Sequence, residues 1–157
     1  MNYFKVFSPL FIVVLMLSPL LTQDANSQSR DGIGLGVVVG EPSGVTAKLW
    51  LDNGNALAGV GAWSMRGNGQ VHFHLDYHRQ NFEALQVTQG ELAFYYGLGG
   101  RILAGDINRI GVRVPFGLTY LFADDPLEVF VELAPILDLS PATEFSGNSG
   151  LGIRYYF

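Results

Sequence analysis

The stretch VHFHLDYH, residues 71–78, indicates the fold class because apolar and polar side chains alternate in it without a break. Successive side chains of a β-strand point to opposite faces, so a strand here has one apolar and one polar face. The apolar face carries Val71, Phe73, Leu75 and Tyr77, and the polar face carries His72, His74, Asp76 and His78. The same period of two recurs in later segments, and no segment sustains a helical period. The sequence therefore predicts an all-β fold.

Turn-forming residues divide the chain into strands of roughly similar length. Segments such as Asp52-Asn53-Gly54 favour tight hairpins because Asn and Gly tolerate positive φ. Short connections between neighbouring strands predict an antiparallel meander. Eight strands are predicted, at Gly32–Gly40, Val45–Leu51, Ala56–Met65, Gln70–Arg79, Glu91–Arg101, Arg109–Phe122, Leu127–Leu137 and Ser149–Phe157. This number matches the smallest transmembrane β-barrel.

The first 27 residues are predicted to be a signal peptide, which leaves the barrel domain at residues 28–157. Lys5 precedes an apolar run from Val6 to Leu21, and Ala25-Asn26-Ser27 places small residues where signal peptidase requires them. The alternative is a transmembrane anchor. The run is short for one, because a spanning helix needs about 20 apolar residues.

Composition indicates strands that face something other than water. Only 15% of the residues are charged, against about 25% in ordinary soluble domains, and 20 are glycine. The chain has no cysteine, which excludes disulfides, and its net charge of −5 makes nucleic acid an improbable partner.

The alternation alone leaves two environments open. A soluble periplasmic barrel of lipocalin type would line a ligand cavity with Phe116, Tyr120, Val129 and Val131, and turn its charges to water. A membrane barrel does the reverse. The charges nearly balance, as a closed lumen requires. The predicted lumen network comprises Lys48, Asp76, Arg101, Arg113, Glu128, Glu132 and Arg154. We also expect an aromatic girdle at one rim, formed by Tyr77, Phe94, Tyr120, Phe122, Tyr155 and Phe157. These features favour the membrane arrangement.

The chain ends in Arg154-Tyr155-Tyr156-Phe157, which resembles the terminal signal that outer-membrane assembly machinery recognises. The mature chain as a whole is similar to small OmpA/OmpX-type barrels. The segments 32–36, 95–101 and 111–122, with the pattern continuing through 126–128 to 134–135, look more narrowly like an uncharacterised family of small outer-membrane proteins. The resemblance implies a bacterial outer-membrane location, with lipid around the barrel and the assembly machinery bound through Phe157. It brings no catalytic residues with it.

The alternating histidines are the sharpest candidate for chemistry. His72, His74 and His78 share a face with Asp76, and adjacent ones could bind a metal such as Zn²⁺ with a ligand from a neighbouring strand. A hydrogen-bonded lumen network is the simpler reading, so we expect no metal and no cofactor. A lipid hydrolase would need Ser64 with His72 or His74, and both would face away from lipid. The expectation is therefore not an enzyme.

The predicted function is structural or interactional. We expect the lumen to be filled by side chains and to conduct little or nothing. Four connections would face outward from the cell, at residues 41–44, 66–69, 102–108 and 138–148. The last is the longest, so residues 138–148 are the expected contact surface for an extracellular partner.

Overall fold

Backbone pairing in the computed structural model follows the alternating pattern through the described residues, 31–63 and 69–157. These residues form nine strands: β1 (Ile33–Glu41), β2 (Gly44–Trp50), β3 (Asn55–Trp63), β4 (Val71–Asn81), β5 (Glu91–Ala104), β6 (Arg109–Arg113), β7 (Phe116–Leu121), β8 (Leu127–Ser140) and β9 (Glu144–Tyr156). The predicted signal peptide lies outside the described residues, as do Ser64 and most of the predicted connection 66–69. Among the described residues, no helix is long and apolar enough to cross a membrane.

The strands close into a ring. Each strand pairs antiparallel with its neighbours, β9 pairs with β1, and β4 pairs with β5. Strands β6 and β7 lie end to end and occupy one place in the ring, because both pair with β5 on one side and with β8 on the other. The ring therefore has eight positions, which confirms the predicted eight-stranded antiparallel barrel.

The sixth predicted strand is interrupted at Val114 and Pro115, between β6 and β7. Proline has no N–H, so it cannot donate to a ladder. The backbone still bonds on both sides of the break. Gly97 N donates to Pro115 O at 2.8 Å, and Val114 N donates to Pro135 O at 3.0 Å. The interruption is thus a local change of pairing within a continuous wall.

The predicted loop at residues 138–148 is wrong, because strand structure covers most of it. Strand β8 continues to Ser140 and β9 begins at Glu144, with Asp138 paired to Glu144. The segment reads as a loop because it is rich in small polar residues. Neighbouring strands nevertheless supply its backbone partners. The predicted connection at 102–108 also shortens, because β5 runs to Ala104.

The two ends of the barrel differ in their connections. The end that we call terminal carries the start of β1, the end of β9 and the turns at 51–54, 82–90 and 122–126. The opposite end, called distal, carries the turns at 42–43, 105–108 and 141–143. The six predicted girdle aromatics belong to the terminal half, where Tyr120 contacts Phe122 and Tyr155 contacts Phe157 with ring centroids 4.9 Å apart.

Large apolar side chains cover the outside of the barrel. Their exposed fractions run from 36% to 75%, and they occur on every strand, as with Leu35, Phe73 and Leu151. The lipocalin alternative is not favoured, because Phe116, Tyr120, Val129 and Val131 lie on outward-facing positions of their strands. The inward positions instead carry the buried charged side chains and histidines, together with alanine, glycine and some larger side chains such as Tyr95 and Phe130.

The turn between β2 and β3 shows why the sequence signals hairpins there. Asp52 Oδ1 accepts from the backbone N–H groups of Gly54 and Asn55, each at 2.8 Å, and Oδ2 accepts from Asn55 Nδ2 at 2.7 Å. The hydrogen bond from the Asn55 side chain, followed by the backbone bonds, lowers the pKa of Asp52, because these bonds favour the charged carboxylate.

Candidate functional site: the polar interior

The structure places all seven residues of the predicted charge network inside the barrel. Six of them are between 0% and 6% exposed: Lys48, Asp76, Arg101, Arg113, Glu128 and Arg154. The side chain of Glu132 is 13% exposed. These side chains point inward because alternate residues of a β-strand share a face, and each one is an even number of residues from another buried residue in its strand. They separate into three layers along the barrel axis.

The terminal layer is centred on Glu128. Lys48 Nζ lies 3.0 Å from Glu128 Oε2, and Arg154 NH1 donates to Glu128 Oε1 at 2.7 Å. The Tyr156 hydroxyl donates to Oε2 as well. Every oxygen of this buried carboxylate therefore has a partner, and two cations share it.

Aromatic rings and a hydroxyl hold the two cations of the terminal layer. Lys48 Nζ sits 4.1 Å from the centre of the Trp50 ring, and the Arg154 guanidinium sits 3.8 Å from the centre of the Phe130 ring. Arg154 Nε also donates to Thr46 Oγ1 at 3.0 Å. Cation–π contacts contribute about 2 kcal/mol or more when desolvated, so they stabilise charge that one carboxylate cannot neutralise.

The middle layer joins Arg113 to two carboxylates. Arg113 NH2 donates to Glu132 Oε1 at 2.5 Å, and the Tyr95 hydroxyl donates to Glu132 Oε2 at 2.9 Å. Arg113 Nε lies 3.4 Å from Asp76 Oδ1, which is an ion-pair distance without hydrogen-bond geometry. Glu132 is thus well satisfied, whereas Asp76 is not.

The three histidines extend from this layer along β4. His72 Nε2 lies 3.1 Å from His74 Nδ1, and His74 Nε2 lies 3.6 Å from Asp76 Oδ2. His78 Nε2 lies 3.8 Å from both Asp76 Oδ2 and Glu132 Oε2. Its ring stacks on Tyr95. His74 and His78 therefore lie near the carboxylates, whereas His72 contacts His74 instead.

The distal layer pairs Arg101 with Asp138. Arg101 NH2 donates to Asp138 Oδ2 at 2.5 Å and to Ser146 Oγ at 3.1 Å. Nearer the rim, Arg109 NH1 bonds Glu144 at 2.6 Å and lies 3.6 Å from Asp138. This layer lies near the turns at 105–108 and 141–143.

Sequence reasoning missed Asp138, which completes the charge balance. The predicted network has four cations and three acids, and Asp138, which is also buried, is a fourth inward-facing acid. The prediction of a loop at 138–148 concealed it. It also missed Tyr95, although Tyr95 is six residues from Arg101 in the same strand and the period of two places both on one face.

Bulky inward side chains face glycines across the ladder. Tyr156 is paired with Gly34, Phe130 with Gly152 and Tyr95 with Gly117. A Cβ at Gly34 would come within 2.7 Å of the Tyr156 ring, and one at Gly117 within 2.9 Å of the Tyr95 ring. Glycine is required there because side chains fill the narrow lumen of an eight-stranded barrel.

A small cavity lies beside the middle layer. Its volume is about 20 Å³, and its walls include His74, Asp76 and Glu132, with Glu41 and Pro42 toward the distal end. Such a volume is large enough for a water molecule. Several buried atoms of the middle layer have no hydrogen-bond partner among the described residues: Asp76 Oδ1 and Oδ2, His78 Nε2, and Arg113 Nε and NH1.

Comparison with known proteins identifies the fold. The chain is similar to the N-terminal β-barrel domain of Pseudomonas aeruginosa OprF, whose crystal structure superposes with a TM-score of 0.53. The match covers 80% of this chain and 95% of that domain, at 15% sequence identity. No family model and no curated protein sequence matches the chain. The similarity confirms the predicted OmpA-type barrel fold, and the narrower resemblance to an uncharacterised family stays a prediction.

Proposed function

We propose that this chain is a small integral barrel of a bacterial outer membrane, with a structural or surface-interaction role. The observation that supports it best is the inverted distribution of polarity. Apolar side chains ring the outside, and the charges are paired within. Among outward positions of the described strands, charged side chains occur at Arg79, near the end of β4, and at Glu41, the last residue of β1, which also borders the distal end of the cavity. Soluble monomers rarely expose an apolar patch larger than a few hundred Å².

Closure of the ring supports the same proposal. Hydrocarbon offers no hydrogen-bond partners, so a spanning sheet must pair every strand with another. The pairings of β1 with β9 and of β4 with β5 satisfy this requirement in the described residues. The outward aromatics near the terminal end, such as Tyr155 and Phe157, are suited to the boundary between lipid and headgroups.

Electrophoresis without boiling tests the proposal. The mature chain, refolded in detergent, is expected to migrate as a compact band that shifts to its unfolded position after boiling. A variant with Leu35→Asp and Leu151→Asp adds charge to the outward face and is the matched control, expected to lose the compact band. A wild-type chain that stays monomeric and folded without any amphiphile would contradict the proposal.

The proposed partners are lipid, the assembly machinery and an extracellular contact. Phe157 is half-exposed, and its N–H donates to Ile33 O at 3.1 Å, so its ring is presented at the terminal rim. Deleting Phe157 is expected to reduce assembly in cells while leaving refolding in detergent unchanged. On the distal side, the predicted contact surface narrows to the tip around 141–143 and the exposed ring of Phe145.

The proposal assigns no catalytic activity to the barrel. His74 faces the lumen and not the lipid, so it is poorly placed to act on a membrane substrate. Incubation of the refolded barrel with outer-membrane lipids, followed by mass spectrometry, is expected to show no modified lipid. Lipid modification that a His74→Gln substitution abolishes would contradict this part of the proposal.

A further inference from the structure

Two histidine nitrogens and two carboxylates converge in the middle layer. Metal-ligating atoms of His74, Asp76 and Glu132 all lie within 4.8 Å of one another. His78 Nε2 is 3.8 Å from both carboxylates. A tetrahedral zinc site with bonds of 2.0–2.2 Å has ligand-to-ligand distances of about 3.3–3.6 Å. Small side-chain rotations would therefore bring three of these groups onto one ion.

Asp76 provides an independent indication of a ligand. It is 1% exposed, and neither of its carboxylate oxygens has a hydrogen-bond partner among the described residues. A buried unpartnered carboxylate is costly, because its desolvation is not repaid by hydrogen bonds. Asp76 also helps to line the cavity of about 20 Å³. A bound cation would supply the missing partner.

The charge of the layer favours a cation over an anion. Asp76 and Glu132 place two carboxylates against the one guanidinium of Arg113, while Arg154, which also lines the cavity, is bonded to Glu128 in the terminal layer. Arg113 lies beside Oδ1 of Asp76 and Oε1 of Glu132. The other two oxygens, Oδ2 and Oε2, are the ones that lie near the histidine nitrogens.

Groups behind the ligands can orient them. His72 Nε2 lies 3.1 Å from His74 Nδ1, so it can accept the Nδ1–H and leave His74 Nε2 free to bind a metal. The Tyr95 hydroxyl donates to Glu132 Oε2. Metal-bound histidines and carboxylates are held by partners of this kind. The cavity reaches toward Glu41 and Pro42 at the distal end, which provides a direction of entry.

From this geometry we propose that the lumen binds one divalent transition-metal ion, with Zn²⁺ as the best fit, through His74, Asp76 and Glu132. His78 is in position to replace one of them or to add a fourth ligand. Imidazole and carboxylate together favour zinc and its neighbours over magnesium or calcium. The proposal depends on the barrel interior and not on the membrane location.

Zinc binding by the refolded wild-type barrel, made without a histidine tag, tests the proposal. After chelator treatment, the barrel is exposed to ZnCl₂ and desalted, and retained zinc is measured by mass spectrometry and X-ray absorption. We expect about one zinc per barrel with imidazole among its ligands. The whole chain has three histidines, all on β4, so an imidazole signal must come from the lumen. No retained zinc, or zinc with oxygen ligands alone, would overturn the proposal.

Two isosteric substitutions locate the site. Asp76→Asn is expected to abolish retention of zinc, whereas Asp138→Asn changes a buried acid outside the cluster and is expected to preserve it. His72→Gln is expected to raise the Kd about 10–100-fold while the Co²⁺ absorption spectrum keeps its shape, as for an orienting partner. Equal zinc retention by Asp76→Asn and the wild type would reject the site.

The same samples separate this inference from the membrane proposal. A compact band on the unboiled gel verifies that each variant has folded before zinc is added. A folded barrel that binds no zinc rejects the metal site and leaves the membrane proposal intact. If Asp76→Asn does not fold, the X-ray absorption spectrum of the wild-type barrel still decides the outcome.

Discussion

The terminal and middle layers of the lumen both pair an arginine with buried carboxylates, but they differ in how many hydrogen bonds those carboxylates accept. In the terminal layer, Glu128 has a partner for each oxygen and its two cations rest on aromatic rings. In the middle layer, Asp76 has ion-pair contacts at 3.4 Å or more and no hydrogen bond among the described residues. The comparison predicts that the ion pairs of the terminal layer contribute more to stability than the contact between Arg113 and Asp76.

The largest expected effect is the loss of Glu128. Glu128→Gln leaves Lys48 and Arg154 buried without their shared anion, and breaking a buried pair in this way costs about 3–5 kcal/mol. Urea unfolding of the refolded barrel, followed by tryptophan fluorescence, measures the free energy of unfolding. Glu144→Gln, at an exposed pair with Arg109, is the control and should cost about 0–1 kcal/mol. Equal losses in the two variants would contradict the strength assigned to the buried ion pairs of the terminal layer.

Crowding the terminal layer should have the next largest effect. Gly34→Ala places a methyl group against the Tyr156 ring, whose hydroxyl donates to Glu128. Overpacking of this kind costs about 1–3 kcal/mol. Gly61→Ala is the matched control, because its added carbon meets nothing nearer than a Val45 methyl at 3.9 Å. The same unfolding experiment should show a loss for the first variant and almost none for the second.

The middle layer should tolerate the corresponding change. In metal-free protein, Asp76→Asn removes a buried charge that makes no hydrogen bond, so the free energy of unfolding should change by less than about 1 kcal/mol. Arg113 retains its bond to Glu132. A loss as large as that of Glu128→Gln would show that the contact between Arg113 and Asp76 is a strong pair despite its length.

The smallest effect belongs to a turn outside both layers. Hydrogen bonds lower the pKa of Asp52 below its ordinary value of 3.8, so its contribution to stability is present above that pH. The contribution is lost as the pH falls through the folded-state pKa. Asp52→Ala should therefore be slightly less stable than the wild type at neutral pH, and the two should converge under more acidic conditions. A difference that grows on acidification would contradict the assigned hydrogen bonds.

Strand positions could be predicted because the two faces of a strand differ in polarity in a soluble barrel and in a membrane barrel alike, so the period of two appears in the sequence in either case. His74, Arg113 and Arg154 each alternate with apolar neighbours, and this alone assigns them to one face. The segment around Asp138 could not be read in this way. Leu139 and Phe145 keep outward positions, but turn-forming residues such as Pro141 and Gly147 stand among them and hide the period of two.

The sequence could not predict which buried carboxylates have a full set of hydrogen-bond partners. Whether a hydroxyl reaches a carboxylate depends on the stagger between strands that are distant in sequence, as for Tyr95 and Glu132 or Tyr156 and Glu128. The period of two gives the face of each side chain but not its depth relative to another strand. The cavity beside Asp76 follows from that stagger and has no signature in the sequence.

The pairing of bulky inward side chains with glycines has a consequence for how such a chain can change over time. Gly34 and Tyr156 share the space of one large residue, because the nearest atoms that a Cβ at Gly34 would meet all belong to the Tyr156 ring. A mutation that enlarges one member is tolerated only if the other shrinks. Descendants of this sequence should therefore exchange large and small residues between adjacent strands in concert, conserving their summed volume while the identity at either position drifts.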